Sequence, residues 1–327
     1  MFKSFFFVKK WFVWSWCGLA IIFLGTGYQV YIDVKINEWF GTFYNIVQIA
    51  LTKPGSVDIT SYFHALMELG GLAMMYVMIA ALLNFFSKHW VFRWREAMND
   101  FYVTQWQALR KIEGASQRVQ EDTKRFATIV ESLGASIVES VITLFAFLPI
   151  LWVLSESINF VPIIGNFDHA LVFISIIFAL FGTLFLAIVG FRLPGLEFNN
   201  QKVEAAYRKE LVYAEDDERR GEKLTLMKLF LDLRKNYFRL YFHYLYFDIA
   251  RYSYLQIGVV VPYLILGPTI VAGVITLGLI QQIVRAFERI LGSFQFLVRN
   301  WPIIVELISV YKRLSEFERV LTTKYSS

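Results

Sequence analysis

Cysteine occurs once in 327 residues, as Cys17. A lone cysteine excludes a disulfide framework or a thiolate metal site within the chain. Its place inside an apolar run suits a small packed hydrophobe. Histidine is nearly as scarce: His64, His89, His169 and His243 are scattered with none at ligand spacing from another, which argues against a metal site. No glycine-rich phosphate loop ending in Lys and Ser or Thr is present, so the chain carries no ATP-hydrolysing engine of its own. G-x-S-x-G and H-E-x-x-H are absent as well, and Gly70-Gly71 falls within an apolar run, a helix-packing position. An enzyme reading is therefore weak. Charge is sparse and uneven, at 18% of residues against 57% hydrophobic and 18% aromatic.

What the chain does have is six long apolar stretches, near 14–35, 64–87, 131–155, 169–191, 246–272 and 275–298. Each can cross a hydrocarbon core of about 30 Å, which takes roughly 20 helical residues. Runs such as Ile21 to Gly25 or Val172 to Leu186 lack the alternation of barrel strands, and a backbone in hydrocarbon must satisfy its own polar groups. The expected fold class is an all-α, polytopic membrane protein with six transmembrane helices forming one domain over 1–327. Lys3, Lys9 and Lys10 before an apolar run could suggest a signal peptide, but Tyr28-Gln29-Val30-Tyr31 follows in place of a small-residue cleavage site.

Basic residues alternate between connections. They crowd the N-terminus, the segments 88–130 and 192–245, and the tail with Lys312, Arg313, Arg319 and Lys324. The segment 36–63 has only Lys53, 156–168 has none, and the connection near 273 is uncharged. The positive-inside rule then puts both termini in the cytoplasm. The net charge of +5 needs no nucleic acid, because basic residues beside spans set orientation and meet anionic lipid, and no DNA- or RNA-binding motif accompanies them.

The two large cytoplasmic connections are poor in Gly and Pro and read as helical extensions. A helix should leave the membrane through Arg95, turn around Glu113-Gly114-Ala115-Ser116 and return as the third span. Pro194-Gly195 marks a break after the fourth span, with a helix from Glu197 to Glu215 beyond it. Thr225 to Phe242 reads as a separate amphipathic piece along the membrane surface or beneath the bundle. The last helix, Ile275 to Phe317, would be about 60 Å long and so projects into the cytoplasm, with a kink at Pro302.

Ionisable groups inside spans are costly and mark candidate function. Arg285, Glu288 and Arg289 share one helix face, either as an ion pair joining helices or as a solvated cavity lining with a part in substrate binding. Glu131 and Glu139 lie in the third span on faces about 80° apart. Carboxylates in a partly dry cavity can titrate near neutral pH and relay protons. Glu197, Glu204 and Glu215 would form an acidic stripe if 196–216 is one helix, though on spacing alone a solvated cytoplasmic face is the favoured reading.

Several blocks go further: Val91-Phe92-Arg93-Trp94-Arg95, Ile112 to Ala115, Gln117 to Thr123, Leu193-Pro194-Gly195-Leu196-Glu197-Phe198, Gln201 to Asp217, Lys235 to Tyr244 and Ile275 to Leu279. In these the chain resembles the SbmA/BacA inner-membrane peptide transporters of Gram-negative bacteria, from about residue 38 onward. The resemblance implies a fold similar to the six-helix membrane half of an ABC exporter, assembled as a homodimer around one cavity in the bacterial inner membrane. It implies proton-driven uptake of peptides and peptide antibiotics, with no cofactor beyond the proton as coupling ion. By that resemblance Glu121, Glu131, Glu204 and Glu215 are proton-coupling residues, and Tyr44 and Tyr213 match positions important in the family. Glu139 lies outside that pattern. Longer members carry further hydrophobic sequence before the first span, where this chain starts almost directly at Trp11, and the six-span core is expected whole. Two other readings stay open. One is an ABC transporter membrane subunit whose ATPase is a separate chain, with Val310-Tyr311-Lys312-Arg313-Leu314 closing its last membrane helix. The other is a structural envelope protein.

Overall fold

The computed structural model describes residues 1–110, 115–156, 158, 165, 167–217 and 221–324. Among them every regular element is helical. In chain order these are α1 (Phe2–Phe6), α2 (Lys9–Thr52), α3 (Ile59–Thr104), α4 (Trp106–Leu109), α5 (Ala115–Gln117), a π-helical turn over Arg118–Asp122, α6 (Thr123–Ser155), α7 (Ala170–Gly190), α8 (Leu193–Asp216), α9 (Lys223–Val271), α10 (Leu277–Arg299) and α11 (Trp301–Lys324).

The helices outrun the apolar stretches that seed them. At 44 residues, α2 is about 66 Å long, twice the hydrocarbon thickness. It continues through the segment beyond Lys35, and a turn of Lys53 to Asp58 hands over to α3, 46 residues long. Gly55 adopts a φ of 82° in that turn, a conformation only glycine takes at low cost. The hydroxyl of Thr60 donates to Asp58 and holds its carboxyl below the ordinary range.

Among the described residues five helical stretches are long and apolar enough to cross a membrane: Lys9–Thr52, Ile59–Thr104, Arg118–Ser155, Ala170–Glu215, which joins α7 and α8, and Lys223–Val271. The sixth expected span falls on α10, which is amphipathic: Arg285, Glu288 and Arg289 gather on the face opposite its buried apolar residues. Three boundaries differ from expectation. The piece from Thr225 to Phe242 is not a separate surface helix but the first half of the 49-residue α9. No glycine or proline interrupts the chain between Lys223 and Ile257, so nothing stops propagation. The helix expected over Ile275 to Phe317 is two, divided at Asn300. Pro302 lacks the N–H that would bond the Val298 carbonyl, which places the break a residue or two upstream of the proline. After α7 the break falls at Phe191 and Arg192, and Pro194 occupies the first turn of α8, where its missing N–H goes unneeded. The turn expected over Glu113 to Ser116 lies partly outside the described residues.

Two compact units make up the chain, Met1–Ile177 with Val261–Ser327 and Phe178–Val260. In the first, α2 packs against α3, α6 and α10, and α6 packs against α3, α10 and α11. The crossing of α2 and α10 is close. A Cβ on Gly278 would stand 2.0 Å from the Gly41 carbonyl oxygen. The first amides of α10, which have no helical partner, are capped from α2: Leu277 N–H donates to Gln48 at 2.7 Å and Gly278 N–H to Asn45 at 3.1 Å. At the other end of this unit an aromatic core joins α1, α3, α6 and α11. Phe5 stacks on Trp94 at 5.8 Å, Trp94 meets Phe126 edge-on at 5.5 Å, and the buried Tyr102 hydroxyl donates to Glu318 at 2.8 Å. Beside this core Arg313 grips the buried Asp122 through two nitrogens at 3.0 and 2.8 Å, and that bond raises the guanidinium's already high pKa.

In the second unit α8 and α9 run antiparallel as a hairpin. Tyr207 meets Phe230, and Tyr237 reaches back to Glu204. Tyr254 stacks on Phe178 at 4.9 Å and lies over Gly182, where a Cβ would be 1.8 Å from its ring.

Candidate functional site

Two polar features stand inside the helices of the first unit. The first is a cavity of about 490 Å³ bounded by α2, α3 and α6. Its polar lining comes from Thr26 and Gln29 on α2, from Asn84, Ser87 and Lys88 on α3, and from Glu131, Ser132 and Glu139 on α6. Thr26 and Ser132 satisfy their hydroxyls on carbonyls of their own helices. The amides, the ammonium and the two carboxylates are left to face the cavity. Glu131 and Glu139 border it together although they stand on neighbouring faces, because the cavity runs along the helix. Among the described residues neither carboxylate forms an ion pair.

The second feature is a charge cluster between α2 and α10. Arg285 Nη2 donates to Asp33 Oδ1 at 2.7 Å and Arg289 Nη2 to the same oxygen at 2.8 Å, while Arg289 Nε lies 2.7 Å from Oδ2. Asp33 is buried. Glu288, on the same stretch of α10, is exposed and among the described residues makes no ion pair. Gln29, which borders the cavity, lies about one helical turn before Asp33 on α2, so the cavity and the cluster share that helix. Asp33 escaped the sequence reading. Its signal was an acid within the first apolar stretch, the same criterion that singled out Arg285.

The remaining candidates are spread out. Glu121 sits in the π-helical turn and binds Arg125 at 2.9 Å, which also holds Glu306 at 3.2 Å. Tyr44 stacks on Phe40 at 5.9 Å and meets Phe43 edge-on at 5.7 Å. Glu204 and Glu215 are exposed on α8 in the second unit, a single helix that carries Glu197 as well. Glu204 accepts a hydrogen bond from the Tyr237 hydroxyl at 2.7 Å. Tyr213 is exposed, with the Lys209 ammonium 5.4 Å from its ring centre. Among the described residues no group of His, Cys, Asp or Glu is placed to hold a metal ion.

Long apolar helices bordering a cavity that holds two carboxylates suit a membrane transporter. The chain belongs to the SbmA/BacA-like family, whose model matches residues 8–322, essentially its whole length. It is 25% identical over 315 residues to the inner membrane ABC transporter ATP-binding protein YddA of Escherichia coli, covering 89% of this chain and 54% of that protein. An uncharacterized ABC transporter ATP-binding protein of Synechocystis, sll0182, is 23% identical over 94% of this chain and 46% of its own length. ABC transporter D family member 2, chloroplastic, of Arabidopsis thaliana is 25% identical over 70% and 33% respectively. The chain thus spans about half or less of the curated relatives it matches.

Proposed function

We propose that this protein imports peptides and peptide antibiotics across the bacterial inner membrane, driven by the proton gradient, as a homodimer that alternates between outward- and inward-open states. The observation that carries the reading is the acid-lined cavity. Glu131 and Glu139 line a half-open cavity of about 490 Å³ and form no ion pair among the described residues, and such carboxylates can load and release protons as access changes sides. Glu121, Glu204 and Glu215 complete the proton-coupling set. Tyr44 and Tyr213 contribute to substrate contact, as do Arg285, Glu288 and Arg289. Both termini lie in the cytoplasm. Each charge moved across 100 mV supplies about 2.3 kcal/mol, so two or three protons match the about 5.5 kcal/mol that reverses a two-state population. The acidic lining also attracts cationic peptides.

A second reading has its own support. The relatives are named as ABC transporter ATP-binding proteins, which supports the alternative of an ABC transporter membrane subunit working with a separate ATPase chain. One experiment separates the two. Purified protein in liposomes is given a labelled cationic peptide with either an imposed pH gradient or ATP. Proton coupling predicts accumulation with the gradient alone, collapsing to simple equilibration in Glu131→Ala and Glu204→Ala. Accumulation that ignores the gradient, or survives both substitutions, removes the carboxylate role.

A further inference from the structure

The Asp33 cluster holds more positive charge than it neutralises. Two guanidiniums share one carboxylate, whose side chain is 8% exposed against 24% for Arg285 and 40% for Arg289. Arg289 approaches side-on, through Nε and Nη2. Arg285 gives Asp33 a single donor, and its buried Nε meets no acceptor. The ring of Phe40 lies 4.8 Å from the Arg285 guanidinium, a contact that fixes the plane of the fork. A guanidinium carries five N–H donors, and among the described residues Asp33 takes only one of those on Arg285.

An ion pair that served only to join α2 and α10 needs one arginine. A second cation packed against the membrane-crossing α2, with no carboxylate of its own among the described residues, is disfavoured unless it meets water or an anion. Asp33 already engages Arg289 side-on and so sets the free edge of Arg285 in place before any ligand arrives. The planar fork matches a carboxylate through two parallel hydrogen bonds, which a spherical ion such as chloride cannot use.

We propose that Arg285, positioned by Asp33 and Phe40, is the receptor for a carboxylate of the transported molecule, and for a peptide its C-terminal carboxylate. The proposal rests on the peptide-transport reading above and gives that reading polarity: the acid end of the substrate docks at α10, while its cationic part faces the carboxylates of the adjoining cavity.

The test is a binding measurement without any gradient, which keeps it distinct from the uptake experiment. A tritiated arginine-rich peptide is prepared as the free acid and as the C-terminal amide. Its Kd is measured on the full chain in nanodiscs of zwitterionic lipid and, separately, of lipid rich in phosphatidylglycerol. The free acid is expected to bind about tenfold more tightly than the amide, the scale of one charge-assisted hydrogen bond. Arg285→Gln should bring the ratio to about one. Arg285→Lys, which keeps the charge and loses the fork, should retain part of the preference, and it carries the test if Arg285→Gln does not fold. Equal binding of the two peptides by the parent protein overturns the proposal. So does a preference that survives Arg285→Gln, or no binding of either form. A preference present in zwitterionic lipid and abolished by phosphatidylglycerol would assign the site to a lipid phosphate and overturn it equally. Absent uptake with the binding preference intact would count against proton-driven transport and leave the carboxylate receptor standing.

Discussion

Asp33 is the residue on which the charges of α10 depend. It is the buried member of the cluster and the described partner of both Arg285 and Arg289. Breaking a buried pair from the side that leaves charge uncompensated typically costs about 3 to 5 kcal/mol, and the partial exposure of the arginines puts this case at about 3 kcal/mol. Asp33→Asn should therefore lower the thermal unfolding temperature in detergent clearly. Arg285→Gln, which leaves a one-to-one pair, should cost about 1 kcal/mol or less. Equal destabilisation by the two would mean that Asp33 does not hold the cluster. The sequence made half of this visible. Arg285, Glu288 and Arg289 stand out as ions within an apolar run, but their counter-ion lies some 250 residues earlier, and only the packing of α2 on α10 joins them. Periodicity likewise sets Glu131 and Glu139 on different faces. That both border one cavity depends on α2 and α3, whose contribution no local pattern encodes.

Among the elements, α10 is the one most closely fitted to its neighbour. Gly278 and Gly41 bring two backbones together, and Asn45 and Gln48 finish the first turn. Side chains can yield to an added methyl but a carbonyl in a helix cannot, so Gly278→Val should push α10 off α2. The expected outcome is loss of folded protein, or at least about 3 kcal/mol of stability. Gly267→Ala, whose new Cβ would meet nothing within 4 Å, should be near neutral. A folded, stable Gly278→Val protein would contradict this account of the crossing. Helix existence was legible from hydrophobic run length alone, whereas helix ends were not. The amphipathic stretch Thr225 to Phe242 looks like a surface helix because its apolar residues recur at helical spacing. It is continuous with the following span because nothing between them breaks a helix. The reverse holds at Asn300: Pro302 predicts a kink within one helix, whereas it stands in the first turn of a second.

At the scale of the whole molecule, the chain reads as a transporter because helices long and apolar enough to cross a membrane border a cavity lined by two carboxylates. Membership of the SbmA/BacA-like family agrees with that reading. The central claim is that peptide movement is tied to protons carried by cavity carboxylates. The most direct test is to reconstitute the protein in liposomes loaded with a pH-sensitive dye, without ATP, and add a cationic peptide under an inward proton gradient. The account predicts acidification of the lumen that requires the peptide, accompanies its accumulation, and disappears in Glu131→Gln. Peptide accumulation with no accompanying proton influx, or only once an ATPase partner and ATP are supplied, would contradict it.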